Sequence, residues 1–332
     1  MKLNRRHFLK AAAALSSAKL IEPALAAAEE LAATDTSAEG LPRRILGKTK
    51  VPVTILGLGC AYISHDNATV AQTRATLEAA LEEGIRYFDT APDYVLSEER
   101  IGPVLAPVRD RIFLVTKLDH IDAESAEKDL ANSLKLLKTT HVDLLLLHGL
   151  GLPGWQDTDT LLGNRGALRY LFDAKEKGLT RFIGFSTHPQ HPAALKVFAA
   201  AGTDLDVVMP FVNYISRTEN NEEQRIVERA RKIGLGVTAM KVLGGSGQMA
   251  DDYDRALRYT LSVPGVNCAL IGVRNVAQVK RAVQAAKAFR PMTSTEMEET
   301  IAIGRRLIES RSKKAAMLNQ HRERDCGATV ES

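Results

Sequence analysis

The chain has 332 residues, 45% hydrophobic and 25% charged, with a formal net charge of +4. That composition matches soluble globular proteins, and no run beyond the N-terminus is long or apolar enough to cross a bilayer. Three cysteines, Cys60, Cys268 and Cys326, show no C-x-x-C or other metal-ligand spacing, which disfavours zinc and iron–sulfur centres.

The first residues, Met1-Lys2-Leu3-Asn4-Arg5-Arg6-His7-Phe8-Leu9-Lys10, precede an alanine-rich segment and a small-x-small site at Ala24-Leu25-Ala26. This is the layout of an export leader, and the Arg5-Arg6 pair resembles bacterial twin-arginine signals. The reading predicts a signal peptide over 1–26 handled by the twin-arginine export machinery. It also predicts a periplasmic product with no stable membrane insertion after processing. Removal of the leader takes away Lys2, Arg5, Arg6, Lys10 and Lys19 against Glu22 and leaves the remainder neutral. A basic surface for nucleic acid is then unsupported, and no nucleic-acid partner is expected. Residues 27–43 read as a linker.

The next stretch, RRILGKTKVPVT, predicts a β-hairpin around a Gly-Lys turn that plugs one end of the fold. Strand-like runs then follow in order: VTILGLG, IRYFD, RIFLVTK, VDLLLLH, RFIGFS, DVVM, GVTAM and NCALIG. Amphipathic helical patterns separate them, with Leu77, Ala80 and Leu81 on one face and Leu130, Leu134 and Leu137 on another. Four helical stretches end in glycine before a strand, at Gly84, Gly178, Gly202 and Gly234, where left-handed helix caps are expected. Strands alternating with helices imply parallel pairing, and this count favours an α/β fold, the (β/α)8 TIM barrel, over 44–290. No G-x-G-x-x-G turn follows the first strand, which argues against an open dinucleotide-binding sheet. Cys60 closes the first strand and Cys268 opens the last, so the two should sit at different heights and remain unlinked. Residues 291–332 read as a C-terminal helical extension and tail.

Asp89, Tyr94, Lys117 and His148 lie at or just past the ends of the second, third and fourth runs. In a parallel barrel those ends open onto one face, so the four side chains converge. Each alone has an ordinary explanation: a packed tyrosine, a snorkelling lysine, a capping aspartate, a satisfied core histidine. Together they suit carbonyl reduction, with a phenol as proton donor, an ammonium tuning it, a carboxylate anchoring the ammonium and an imidazole orienting the carbonyl. A cation about 4 Å from the phenol, at an effective dielectric of about 20, is worth roughly 4 kcal/mol. That lowers the tyrosine pKa by roughly three units before burial opposes it.

The segments FDTAPDY, LVTK and LLLLH resemble the aldo-keto reductase family, and the resemblance runs through most of 44–290. It implies NADPH as cofactor, with NADH possible, a small carbonyl compound as substrate, and no metal. It assigns Tyr94 as general acid, Lys117 and Asp89 as its tuning pair, and His148 as the carbonyl-orienting partner. Ser186 matches the family's contact to the nicotinamide carboxamide, and Asn213 belongs to a recurrent sequence near the pocket. Met240, Lys241, Leu243 and Gly244 begin a glycine-rich run, continuing through Ser246 and Gly247, for the pyrophosphate. Gly272, Arg274 and Gln278 resemble the adenosine-phosphate segment, where Arg274 favours a 2′-phosphate. Tyr62, Trp155 and Tyr214 are the substrate-contact candidates, with His188 and Phe211 on the same loops. The resemblance also departs in places: Met209 stands where many members have glutamine, Thr187 and Ala282 where asparagine is common, and Met240 where some have tyrosine. Those departures leave open a second reading, an NADPH-binding sensor or regulatory subunit with little turnover.

Overall fold

The computed structural model describes residues 35–36 and 40–327, apart from 65–67, 156, 189–191, 220, 222 and 246, with side chains described from 40 to 313. The leader assigned to 1–26 lies outside the described residues. Three short antiparallel strands come first: β1 Asp35–Thr36, β2 Pro42–Ile45 and β3 Pro52–Thr54. The segment 27–43 is therefore not wholly a linker, because β1 pairs with Pro42 and Arg43. The β2–β3 hairpin is the one predicted from the Gly-Lys turn.

Eight parallel strands then close a barrel in chain order: β4 Leu56–Gly59, β5 Tyr87–Asp89, β6 Phe113–Leu118, β7 Val142–Leu150, β8 Thr180–Thr187, β9 Val207–Met209, β10 Gly236–Ala239 and β11 Cys268–Gly272. Strand β11 pairs back onto β4. The run VTILGLG, expected as a single strand, breaks at Ile55: its first residues pair in the hairpin and its last four enter the barrel. A strand changing sheets must bend, and the burial of Ile55 fixes that corner in the apolar layer. Three of the predicted cap glycines, Gly84, Gly178 and Gly234, are left-handed, whereas Gly202 is not. At Gly202 an added Cβ would stand 2.5 Å from the Phe198 carbonyl oxygen, so close approach explains that residue.

The barrel interior is packed, not hollow. Tyr87, Phe113, Val115, Leu144, Leu146, Val207, Met209, Cys268 and Leu270 fill it, and Tyr87 stacks on Phe113 with centroids 5.0 Å apart. Leu46 and Val53 from the hairpin join this cluster. The Lys48 amide donates to the Gly234 carbonyl at 2.7 Å, just before β10 begins, so the hairpin seals the N-terminal floor. Arg44 fastens it, donating to the carbonyls of Leu261 and Val266 at 2.9 and 2.7 Å. Cys60 and Cys268 are buried free thiols, as the strand positions predicted.

The last helix spans Ser294–Gly327. Arg258 holds it by donating to both Glu296 oxygens at 2.7 and 2.8 Å, and those bonds depress the Glu296 carboxyl to about 2. A carboxyl depressed in the folded state supports the structure above its ordinary pKa of about 4.3 and loses that support as pH falls through the folded value. Amides at the start of this helix should therefore exchange faster as pH drops from 5 toward about 2, beyond the intrinsic rate change. Glu296→Gln should remove that extra pH dependence, and an unchanged profile in the variant refutes the tether.

Candidate active site

The C-terminal ends of β5, β6 and β7 bring the predicted tetrad together. Because alternate residues of a strand share a face, Lys117 projects inward and reaches across to β5. Its Nζ donates to both Asp89 carboxylate oxygens at 2.9 Å and to the Thr90 carbonyl at 2.6 Å, and it is 1% exposed. The same ammonium lies 4.7 Å from the Tyr94 ring centroid. His148 meets that ring edge-on, with centroids 5.6 Å apart at 77°. Val95, immediately after Tyr94, has φ of +51°, a conformation that costs a β-branched residue energy and commonly marks a constrained functional loop.

Burial works against the charge on Lys117, but the Asp89 carboxylate and the contact with Tyr94 outweigh it and hold the pKa above the ordinary lysine value. Tyr94 goes the other way from the sequence expectation. Burial raises its phenol and Lys117 lowers it, and burial wins, leaving the pKa pushed up to about 12. The phenol is thus protonated at neutral pH, which suits a proton donor.

Sequence reasoning missed Asp119. It follows Lys117 by two residues, so the strand's period of two places both toward the mouth, and that was the available signal. Asp119 Oδ1 lies 2.5 Å from His148 Nδ1. A carboxylate only accepts, so His148 donates to it from Nδ1. Asp119 Oδ2 also accepts from the Asp93 amide at 2.9 Å, and Asp93 Oδ1 stands 3.5 Å from His148 Nδ1. Partial burial raises the Asp93 carboxyl, opposed by His148 and reinforced by Asp119. Ligand atoms of Asp93, Asp119 and His148 lie within 4.8 Å of one another, a grouping with metal-ligand character that the sequence reading did not anticipate.

The predicted cofactor residues line later strand ends. Ser186 is buried, its Oγ accepting from the Gly149 amide at 2.8 Å. Met240 follows β10 directly and pairs with Phe211 in an isolated parallel bridge. Lys241 has φ of +55°, and its carbonyl accepts from Asn213 Nδ2 at 2.9 Å. Leu243 is half-buried and its carbonyl holds the Met249 amide, while Gly244 turns at φ +76°. An added Cβ at Gly245 or Gly247 would meet only open space, so this backbone is accessible; Ser246 lies outside the described residues. Gly272 closes β11 as an exposed residue, and Arg274 and Gln278 are exposed at the start of the Val276–Lys287 helix. Gln278 Oε1 accepts from the Arg274 amide at 2.7 Å, and the Arg274 guanidinium sits over the Tyr62 ring at 5.2 Å. An accessible glycine turn, an exposed arginine and a capped helix start form a donor set that fits a phosphorylated dinucleotide.

Two substrate candidates are corrected. Tyr214 is fully buried, with its hydroxyl donating to Asp252 at 3.1 Å and its ring edge-on to Tyr259. The C-terminal helix covers it: a Cβ on Gly304 would fall 2.4 Å from the Tyr214 carbonyl oxygen. Trp155 is 5% exposed and packs into the main core, so it does not wall the mouth. Tyr62, 38% exposed, remains at the surface beside Gly272 and Arg274. A groove of about 680 Å³ lies elsewhere, between the Tyr253–Ser262, Val276–Lys287 and C-terminal helices. Its arginines and glutamates lack the convergent acid–base set that the tetrad presents.

These features are those of a carbonyl-reducing barrel, and the profile of the Aldo/keto reductase family matches residues 55–255. The chain belongs to that family and is an NAD(P)H-dependent oxidoreductase. An aldo-keto reductase of Mycolicibacterium vanbaalenii is 32% identical over 246 residues, covering 70% of this chain and 82% of that protein. Methylglyoxal reductase DkgB of Salmonella typhi is 28% identical over 205 residues, covering 60% of this chain and 70% of that one. Among solved structures, an aldo/keto reductase from Klebsiella pneumoniae in complex with NADP and acetate has a TM-score of 0.64 at 21% identity, covering 78% of this chain and 94% of that chain.

Proposed function

We propose that this protein reduces a small aldehyde or ketone to the alcohol with NADPH, using Tyr94 as general acid. The observation that carries the reading is one ammonium shared between the Asp89 carboxylate and the Tyr94 ring, with His148 edge-on to the same ring. Bound nicotinamide supplies the hydride. As negative charge grows on the carbonyl oxygen, the Tyr94 hydroxyl donates to it and passes its proton across, while the His148 ring, edge-on to Tyr94, borders the carbonyl and orients it. Lys117, pinned by Asp89, stabilises the phenolate left behind. Asp119 accepts from His148 Nδ1 and so fixes the orientation of the imidazole ring beside Tyr94.

Lys241, Leu243 and Gly244 with Gly272, Arg274 and Gln278 would hold the nucleotide, and Ser186 the carboxamide. The Klebsiella neighbour crystallised with NADP supports NADPH as the donor. Arg274→Ala should lower the preference for NADPH over NADH by about tenfold, the worth of roughly 1.4 kcal/mol. An unchanged ratio of the two affinities removes Arg274 from that role. The reading as a whole is tested by titrating purified protein with NADPH and following its oxidation across a panel of aldehydes and ketones. Tight binding without oxidation would make the protein a sensor instead of a reductase.

We propose further that residues 1–26 act as a twin-arginine leader and that the enzyme works in the periplasm. The support is the Arg5-Arg6 pair and the Ala24-Leu25-Ala26 site. Fractionation with mass measurement of the N-terminus tests this: a full-length chain confined to the cytoplasm contradicts it.

A further inference from the structure

Resting on the reductase reading, we infer that the mouth rejects anionic carbonyl compounds and takes neutral or cationic ones, with Asp93 as the selecting residue. The carboxylates of Asp93 and Asp119 both crowd His148 Nδ1, at 3.5 and 2.5 Å. Asp119 is 17% exposed and spends its oxygens on His148 and the Asp93 amide. Asp93 is different: its side chain is 57% exposed, on the loop that carries Tyr94. It therefore presents negative charge beside the reacting centre, where an approaching substrate meets it.

The neighbouring charges reinforce this sign. Asp129 stands behind, accepting from the Asp119 amide at 2.8 Å and from His120 Nδ1, so the exposed His120 imidazole is already engaged by a carboxylate. Lys117 is neutralised by both oxygens of Asp89. Lys241 and Arg274 belong to the nucleotide segment, where phosphate would offset them. Next to Tyr94 on the same loop the surface is apolar, with Val95 64% and Leu96 40% exposed. A substrate approaching the catalytic phenol thus meets apolar surface and the exposed Asp93 carboxylate. A like charge there must either be desolvated beside Asp93 or held away from Tyr94, and both weaken productive binding.

The test compares kcat/KM for 4-formylbenzamide and 4-carboxybenzaldehyde, which share a shape and differ in charge, using full-length holoenzyme with saturating NADPH. The expected result is at least a tenfold preference for the amide, shrinking as salt is raised because exposed charges are screened. In Asp93→Asn that preference should fall at least threefold, chiefly through KM for the carboxylate. Asp110→Asn removes an exposed carboxylate before β6, at the opposite end of the barrel, and should leave the ratio unaltered. Equal use of the two aldehydes, or a ratio that Asp93→Asn does not move, overturns the inference while leaving the reductase reading intact. Failure to reduce either aldehyde or any member of a wider neutral panel, despite NADPH binding, overturns both.

Discussion

Tyr94→Phe should reduce the kcat of carbonyl reduction by about 10³-fold, within the roughly 10²–10⁴ that a positioned general acid contributes. NADPH affinity should change by less than about twofold, since the lost hydroxyl supplies a proton and not a nucleotide contact. The sign of the pH dependence follows from the environment of the phenol. Burial raises it to about 12 against the pull of Lys117, so the acid form prevails through neutrality and reduction needs no prior titration. The reverse reaction needs the phenolate and should therefore speed up as pH climbs toward that value. Steady-state kinetics in both directions with fluorescence titration of NADPH would decide it. Undiminished turnover in purified Tyr94→Phe removes the acid from its assigned place.

Asp89→Asn should be the most damaging single change to stability, by about 3–5 kcal/mol, because it strands a buried ammonium without its counter-charge. Lys117→Met in the same chain should recover most of that loss while leaving turnover abolished, since the cation is then gone as well. A pH series separates this from ordinary packing loss. Lys117 titrates above its ordinary value in the fold, so its contribution is fully present below about pH 10.4 and is lost as pH rises through the folded value. The double variant should lack that alkaline decline. Urea unfolding with unchanged slope provides the measurement, and a single variant within 1 kcal/mol of the parent contradicts the coupling.

The tetrad was legible because strand ends in a parallel barrel share a face whatever the intervening helices contain. Asp89, Lys117 and His148 needed only the count of strands and their last residues. Asp119 was legible in principle from the same two-residue alternation, but its worth depends on where the His148 imidazole points, which no spacing encodes. Tyr214 and Trp155 misled for a related reason. A loop residue's direction is set by what covers it, and Tyr214 is covered by a helix some ninety positions further on, admitted by the missing side chain at Gly304. The fate of the Tyr94 proton was likewise a contest between two opposed effects. The Coulomb part could be anticipated from a lysine nearby, whereas the desolvation part depends on how tightly the rim packs around the hydroxyl.

The N-terminal hairpin carries a final implication for how the chain is handled. Gly40 sits by the end of the Val276–Lys287 helix, with Lys287 Cε 3.6 Å from where its Cβ would be, and the next turn docks against the start of β10. Residue 40 thus lies on the underside of the barrel, at the end opposite Tyr94. Under the proposed leader reading, the active face stands at the other end of the barrel from residue 40, so processing should leave turnover unchanged. Activity assays on unprocessed and trimmed protein should agree.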